Sequence, residues 1–447
     1  MSRYQNRDAY TRRVMSRLHA HVPRSRVVQV RIVVLAVAIG FAVIKLIFAA
    51  RTPGTNDVTT FQGFADAIRH YGPINIYGHR IPVPSVPGAF LAPYNHPPLV
   101  GWMLVVFNRL TDLGIPFRFL IRVPATLADV VTSVLVFELV RGRRPLREAA
   151  VAGLVVASSP ALVVISGYHG NTDPVFVMFA LASLYLLVNE RSGFVAGLAF
   201  AAAINIKIVP IVTLPVLLLV AARSSRRRLL AFLAGSGALL AVTWGPVVPH
   251  RWTAFKENVL GYKGLNYPQW GLVQFARTLG FSTHWQEMLR GGGRYPLLLL
   301  SAGVPLLIAW RWPTASTSAF GLSLVAVLLL STSTAARYVV WAVAAVFLVN
   351  VWAGVIYNVA ASALLIVVYD SWNGGALPWN WGHARSGPWT HGEVLLAGIV
   401  WLTLLAVFLI GLLPPEKVDL RRVMTRRRTR ERQRTGAAVL TPSDVPA

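Results

Sequence analysis

The chain has 447 residues, of which 55% are hydrophobic and 13% charged, with a mean hydropathy of +0.55. A soluble domain would carry charge on about a quarter of its positions, and here the apolar residues gather in runs long enough to cross a bilayer. Soluble enzymes and disordered tails are therefore excluded as whole-chain readings, and the absence of cysteine excludes disulfide scaffolds, thiolate catalysis and cysteine-based zinc sites.

The net charge of +26 is unevenly placed. Residues 1–31 carry a net +7, 414–447 a net +5, 141–148 (RGRRPLRE) +3 and 223–228 (RSSRRR) +4, so four stretches supply 19 of the 26 charges. Basic residues beside membrane spans mark the cytoplasmic side. Both termini and both linkers are thus read as cytoplasmic, which accounts for the basic tail without nucleic acid as a partner. About thirty residues precede the first apolar run and no small-residue cleavage site follows it, unlike a cleavable signal peptide.

In chain order the expected spans are 31–50, 118–140, 148–167, 174–189, 193–206, 208–222, 229–246, 294–310, 316–331, 338–353, 354–369 and 393–413. An even number returns a cytoplasmic N-terminus to a cytoplasmic tail. The block 339–369 is too long for one helix and divides at a turn near Asn350–Gly354. The expected fold is an all-α polytopic bundle of about 12 transmembrane helices. It has a basic cytoplasmic N-terminus (1–30), a transmembrane domain (31–413) and a basic cytoplasmic tail (414–447). External loops fall at 51–117, 247–293 and 370–392.

Pro98–Leu110 is not counted as a span. Its 13 residues make about 20 Å of helix, against a hydrocarbon core of roughly 30 Å, so it reads as an interfacial helix on the outer side. Before it, Phe61, Phe64, Ala65, Ile68 and Tyr71 recur at helical spacing, with Asp66, Arg69 and His70 opposite, until Gly72–Pro73 stops the helix. A Pro/Gly-rich loop over 82–88 leads on to Tyr94–Leu99. Two interfacial helices between the first two spans make a lid over the outer face. The external loops are long and rich in Trp, Tyr, Gly and His while the inner linkers are short, which places function outside.

Several residues there can carry chemistry. Asp57 stands just before the first amphipathic helix, where it serves either as a helix cap or as a general base on a hydroxyl. In His169-Gly-Asn171-Thr-Asp173-Pro, the Asp-Pro pair reads as a helix start, yet the loop offers His, Asn and Asp within five residues. Its spacing matches no standard metal-ligand set. Lys207, one of five lysines in the chain, lies in an apolar stretch where a cation needs a partner or a polar cavity. It either snorkels to headgroups or meets a lipid-linked phosphate, with Lys263, Arg337 and Arg251 available to the same site. Arg122 and Asp129, seven residues apart, read as structural partners. Tyr262, Tyr267, Trp270, Trp341, Trp372, Trp379 and Trp381 suit either an aromatic belt or sugar stacking.

The order of these features resembles the GT-C superfamily of membrane glycosyltransferases, in particular the glucosyltransferases that use dolichyl-phosphate glucose and bacterial mannosyltransferases. Asp57 and the helix after it resemble the family's catalytic acid in the first external loop. Tyr94–Leu99 resembles its Tyr-Pro-Pro-Leu element, with His96 in place of the tyrosine before Pro-Pro, and Arg122–Asp129 is similar to its second span. Tyr168–Asp173 sits at its His/Asn loop, Gly197–Lys207 at its Ala-Ile-Asn-Tyr-Lys stretch, and Gly261–Leu265 at its Arg-Gly-Leu loop. The match covers roughly residues 30–270. It implies inverting transfer of a sugar from a polyprenyl-phosphate donor, on the outer face, to a lipid or glycan acceptor. Asp57 is then the general base, and His169, Asn171, Asp173, Lys207, Lys263 and Arg337 hold the donor. Tyr94, His96, Trp270 and Trp372 hold the acceptor or position loops. It requires neither cofactor nor metal, since phosphate is a good leaving group. The Arg-, Ala- and Val-rich composition points to a bacterial donor, mannose before glucose or arabinofuranose. The competing readings are a transporter or flippase of a lipid-linked sugar, for which no internal repeat is visible, and a non-catalytic partner in an envelope complex.

Overall fold

The computed structural model describes residues 23–82, 90–262, 264, 269–375, 378–384, 387 and 389–414. The expected basic N-terminus before residue 23, the tail after 414 and nearly all of the loop 82–88 lie outside them. The described chain is helical, apart from two strands of two residues each.

Five helices are long and apolar enough to cross a membrane: Arg24–Arg51, Phe117–Arg141, Leu146–His169, Val351–Trp372 and His391–Leu412. Two pairs qualify only when joined, Arg226–Trp244 with Val248–Leu260, bent by 88°, and Thr283–Arg290 with Arg294–Arg311, bent by 53°. Five shorter apolar helices complete the set: Asp173–Val188, Gly193–Ile206, Val209–Ser224, Pro313–Leu329 and Ala336–Val349. Each of the twelve segments expected from the sequence coincides with one of these units, while length and composition alone support five to seven crossings.

Helix α1 (Arg24–Arg51) shows how the bundle is organised. Val34, Ala38, Ala42, Lys45 and Ala49 form its buried stripe, whereas Ile32, Val33, Ile39, Val43 and Ile47 are exposed. An apolar face with nothing packed on it suits lipid as solvent. The buried Lys45 needs an anion, and α4 (Val123–Arg141) supplies it: Lys45 Nζ lies 2.7 Å from Asp129 Oδ2. This corrects the expected Arg122–Asp129 pairing. Arg122 instead turns its Nη1 to the carbonyls of Ala49 (3.0 Å) and Thr52 (2.9 Å) at the end of α1, where a cation meets the negative end of the helix dipole.

The segment after α1, expected to be external, begins with β1 (Gly54–Thr55) and α2 (Asn56–Asn75). Phe61, Phe64, Ala65 and Ile68 of α2 are buried as their spacing predicts, but Tyr71 is exposed and stacks on His79 at 3.8 Å. Gly72, at φ 78° and ψ 163°, leaves helical backbone, so the amphipathic helix stops at Gly72–Pro73 as expected and a short helical turn follows to Asn75. The helix α3 (Pro98–Asp112) packs on α2. Asn108 Nδ2 donates to the Ala65 carbonyl at 2.7 Å, and Arg69 pairs with Asp112 at 2.7 Å.

Helices α5 (Asp173–Val188) and α6 (Gly193–Ile206) follow, and α7 (Arg226–Trp244) crosses α6 closely. A Cβ on Gly197 would fall 2.1 Å from the Phe232 carbonyl oxygen and one on Gly235 2.0 Å from that of Phe194. Small residues at such a crossing let backbones approach in a bilayer. After α8 (Ser316–Leu329) the chain 336–349 is a series of short helical turns, and α9 (Val351–Trp372) starts at Asn350. Asn350 Oδ1 accepts the amides of Trp352 and Ala353, both at 3.0 Å, which places the expected break in 339–369. Strand β2 (His383–Ala384) then pairs in parallel with β1, Gly54 opposite His383 and Thr55 opposite Ala384, before α10 (His391–Leu412).

The buried Lys45–Asp129 pair makes a clear prediction. Lys45→Met leaves a carboxylate without its counter-charge and should lower stability by about 3–5 kcal/mol, while adding Asp129→Leu should restore most of it. Thermal midpoints of the detergent-solubilised protein test this, and equal midpoints for the single and double variants would refute it.

Candidate active site

The site forms where the chain leaves α1. Gly54 adopts φ 89°, and a Cβ there would fall 1.9 Å from Arg122 Nη2, so glycine both permits the turn and leaves room for the guanidinium. The next residue, Thr55, is the N-cap of α2, its Oγ1 accepting the Asp57 amide at 3.3 Å. Asp57 therefore lies in the first turn and is not the cap. Its carboxylate turns to other partners.

The first partner is His169. The stretch Val163–His169 winds as a π-helix before Gly170 takes the left-handed conformation at φ 81°. Such wide turns re-aim side chains, and this one brings His169 Nε2 to 3.0 Å from Asp57 Oδ2. The hydrogen-bond pattern selects a tautomer. Thr55 Oγ1 donates to the His169 carbonyl at 3.0 Å, which leaves the Tyr369 hydroxyl, in contact with Nδ1, to donate to that nitrogen. Nε2 then carries the proton and donates to Asp57.

The second partner is Arg337, from the turn Ala336–Val339, whose Nε lies 3.3 Å from Asp57 Oδ2. Beside it stands Lys207, the residue after α6, with Nζ 2.7 Å from Asp173 Oδ1. Asp173 Oδ2 accepts from Trp341 Nε1 at 2.8 Å, and the Asp173 amide donates to Asn171 Oδ1 at 2.8 Å. The cap of α5 is Thr172, so Asp173 serves as a carboxylate partner and not as the expected cap. The Tyr338 ring lies 4.3 Å from Lys207 Nζ and 5.2 Å from Arg337 Cζ, and the Trp341 ring 4.8 Å from Lys207. Both cations are thus held on aromatic faces.

These groups surround a cavity of about 330 Å³ whose wall includes Asp57, His96, Asn171, Lys207, Tyr262 and Arg337. The Asp57 side chain is 18% exposed and that of Asp173 only 1%, so a molecule in the cavity reaches Asp57. His169 and Asp173 stand behind Asp57 and Lys207, not on the cavity wall, where the sequence had them binding donor directly. Burial raises the Asp57 pKa, but Arg337, His169 and Lys207 outweigh it and hold the carboxyl well below its usual range. Burial, then Lys207, lowers His96 to about 4, which leaves a neutral imidazole 4.8 Å from the Phe61 ring. Burial, then Tyr338, raises Tyr262 to about 12.

The other expected site residues are placed elsewhere. Tyr94 is fully buried against Phe64 and Tyr77, Trp270 donates through Nε1 to the Ala335 carbonyl at 2.8 Å, and the Trp372 ring packs 5.0 Å from that of Tyr369. All three shape the site from behind. Arg251 donates to Asn75 Oδ1 at 3.1 Å, and Lys263 and Tyr267 lie outside the described residues. Tyr369 and Thr55, which orient His169, went unnoticed in the sequence because neither stands in a motif. Among the described residues no three of His, Asp and Glu converge as metal ligands.

Residues 95–250 match the family model of dolichyl-phosphate-mannose-protein mannosyltransferase. A 232-residue stretch is 24% identical to GPI mannosyltransferase 1 of Kluyveromyces lactis, covering 49% of this chain and 56% of that protein. The chain thus spans little more than half the length of this relative. Among solved structures, ArnT from Cupriavidus metallidurans is similar in its undecaprenyl phosphate complex and its apo state, with 14% and 15% identity, 85% of this chain and 76% of that chain covered, and a TM-score of 0.47 for each. The matched segment 95–250 carries His96, His169, Asn171, Asp173 and Lys207 of the site, and both the family model and the relative are mannosyltransferases by name.

Proposed function

We propose that the protein transfers a hexose, mannose first, from a polyprenyl-phosphate donor to a glycolipid or glycan acceptor of the cell envelope, on the outer face of the membrane and with inversion. The observation that carries this reading is a carboxylate, Asp57, on the wall of a cavity that also presents the two cations Lys207 and Arg337. The mannosyltransferase names of the matched family model and relative favour mannose as the donor sugar. The orientation rests on the arginine-rich linkers 141–148 and 223–228, whose Arg143 and Arg223 lie beside Leu187–Glu190, at the end of α5 opposite Asp173.

In this reading the acceptor hydroxyl attacks the anomeric carbon, its proton passes to Asp57, and the bond from that carbon to the phosphate oxygen breaks. Charge grows on the departing phosphate, where Lys207 and Arg337 stabilise it. The donor also conditions the base. While Asp57 and Asp173 are the anions beside Arg337 and Lys207, Asp57 is a poor proton acceptor. An anionic donor shares those cations and returns basicity to Asp57. His169, fixed by Tyr369, keeps the carboxylate in place. Asp173 holds Lys207, and the neutral His96 offers one donor and one acceptor to a hydroxyl. The three regions of the chain, 1–30, 31–413 and 414–447, then act as basic flank, catalytic membrane domain and basic tail.

Two measurements test the reading. In membranes supplied with radiolabelled polyprenyl-phosphate mannose and native lipid extract, Asp57→Asn should cut transfer about 10²–10⁴-fold, and transfer equal to wild type at equal expression would refute the assigned base. The pH profile of kcat/KM tests the electrostatics. In the wild type Asp57 stays ionised through the mildly acidic range and contributes no acid limb there. Arg337→Gln removes the chief lowering charge, so the Asp57 pKa rises and the loss of activity on acidification begins at higher pH than in wild type. Superimposable normalised profiles would contradict it.

A further inference from the structure

A second cavity, of about 460 Å³, lies at the arginine-rich end of the bundle. It is separated from the candidate active site by the length of α5, whose 16 residues span about 24 Å. Four chain segments meet there: Glu138–Arg143 at the end of α4, Leu187–Glu190 at the end of α5, Val220–Ser224, and the start of the helix Pro313–Leu329. The wall is of two kinds, with Leu139, Leu187, Val188 and Val220 apolar, while the polar side includes the cations Arg143 and Arg223, the carboxylates Glu138 and Glu190, and several hydroxyl groups.

Arg143 sets the chemistry of this wall. Its Nη1 donates to the Leu348 carbonyl at 3.1 Å and its Nη2 to Ser318 Oγ at 2.7 Å. Both are neutral acceptors, and no carboxylate meets this guanidinium among the described residues. Burial, then Arg144, lowers its pKa to about 10, so it stays cationic at neutral pH. Two carboxylates also line the cavity: Glu138, which is held by Arg31 and Arg141, each at 2.7 Å, and Glu190, an exposed residue. Arg223 adds a second cation, anchored on the carbonyls of Ala309 and Trp310. The N-terminal end of Pro313–Leu329 adds a partial positive charge.

We propose that this cavity binds the phosphate of an anionic lipid headgroup, with Arg143 and Arg223 facing the phosphate and Leu139, Leu187, Val188 and Val220 facing the glycerol and first acyl carbons. Arg143, whose hydrogen bonds go to neutral acceptors, favours a phosphate at a membrane edge. The apolar half of the wall favours a lipid over the free ion.

Native mass spectrometry of the purified full chain, with phosphatidylglycerol, phosphatidylcholine or inorganic phosphate added, tests the proposal. Wild type should retain one phosphatidylglycerol about tenfold more tightly than phosphatidylcholine, the size of one charge-assisted contact. Arg143→Gln should abolish that preference. Because Arg143 also ties segments together, a second variant is needed. Thr314→Trp fills the mouth of the cavity from an exposed position and leaves the Arg143 contacts in place, and it too should lose the retained lipid. Surface arginines attract anionic lipid in every variant, so the difference between wild type and Thr314→Trp is the reading. Equal retention of the two lipids by wild type, or undiminished preference in both variants, overturns the site. Displacement of the lipid by inorganic phosphate assigns the cavity to the free ion and overturns the lipid.

Discussion

A charge at the edge of a bilayer keeps its ionised form only where other groups replace the water it has lost. Around Asp57 those groups are Arg337 and His169, and around Lys207 they are Asp173 and Trp341. Much of the local architecture serves these contacts. The π-helical turn aims His169, the short turn at Ala336–Val339 aims Arg337, and the end of α6 leaves Lys207 in extended backbone beside Asp173. Arg122, bonded to the last carbonyls of α1, holds the strand from which Asp57 follows.

Two carboxylates of the same type take different parts because of their surroundings. Both oxygens of Asp173 are engaged by fixed donors and its side chain is sealed, so it acts as a counter-charge for Lys207. In Asp57 a single oxygen is hydrogen-bonded to His169 and ion-paired with Arg337, and the side chain opens on the cavity, which leaves acceptor capacity for a hydroxyl. The neutral His96 and the protonated Tyr262 line the same space without adding charge.

Much of this was legible in the sequence, and the rest was not, for a consistent reason. Apolar runs and basic linkers located all twelve helical units, and the cost of a lone cation singled out Lys207. Pairings across helices were hidden. Arg122 and Asp129 share a helix face by spacing, yet seven residues put them about 10 Å apart along the axis, too far for direct contact, and the true partner Lys45 comes from another helix 84 positions away. The same holds for Tyr369, which meets His169 across 200 positions. Local periodicity carries no information on such pairs. Asp173-Pro174 misled in the opposite way, since a good helix-start pair conceals a carboxylate whose partner, Lys207, lies 34 residues on.

The parallel pairing of Gly54–Thr55 with His383–Ala384 has a consequence for biosynthesis. The backbone that presents Asp57 is completed by residues from the last seventh of the chain, and Arg337 and Tyr369 also come from its final third. A chain inserted from its N-terminus displays Asp57 on one side of the membrane long before any of these arrive. Until then the carboxylate lacks its guanidinium, its oriented imidazole and the strand beside it. The candidate site is therefore incomplete until these later segments join the bundle.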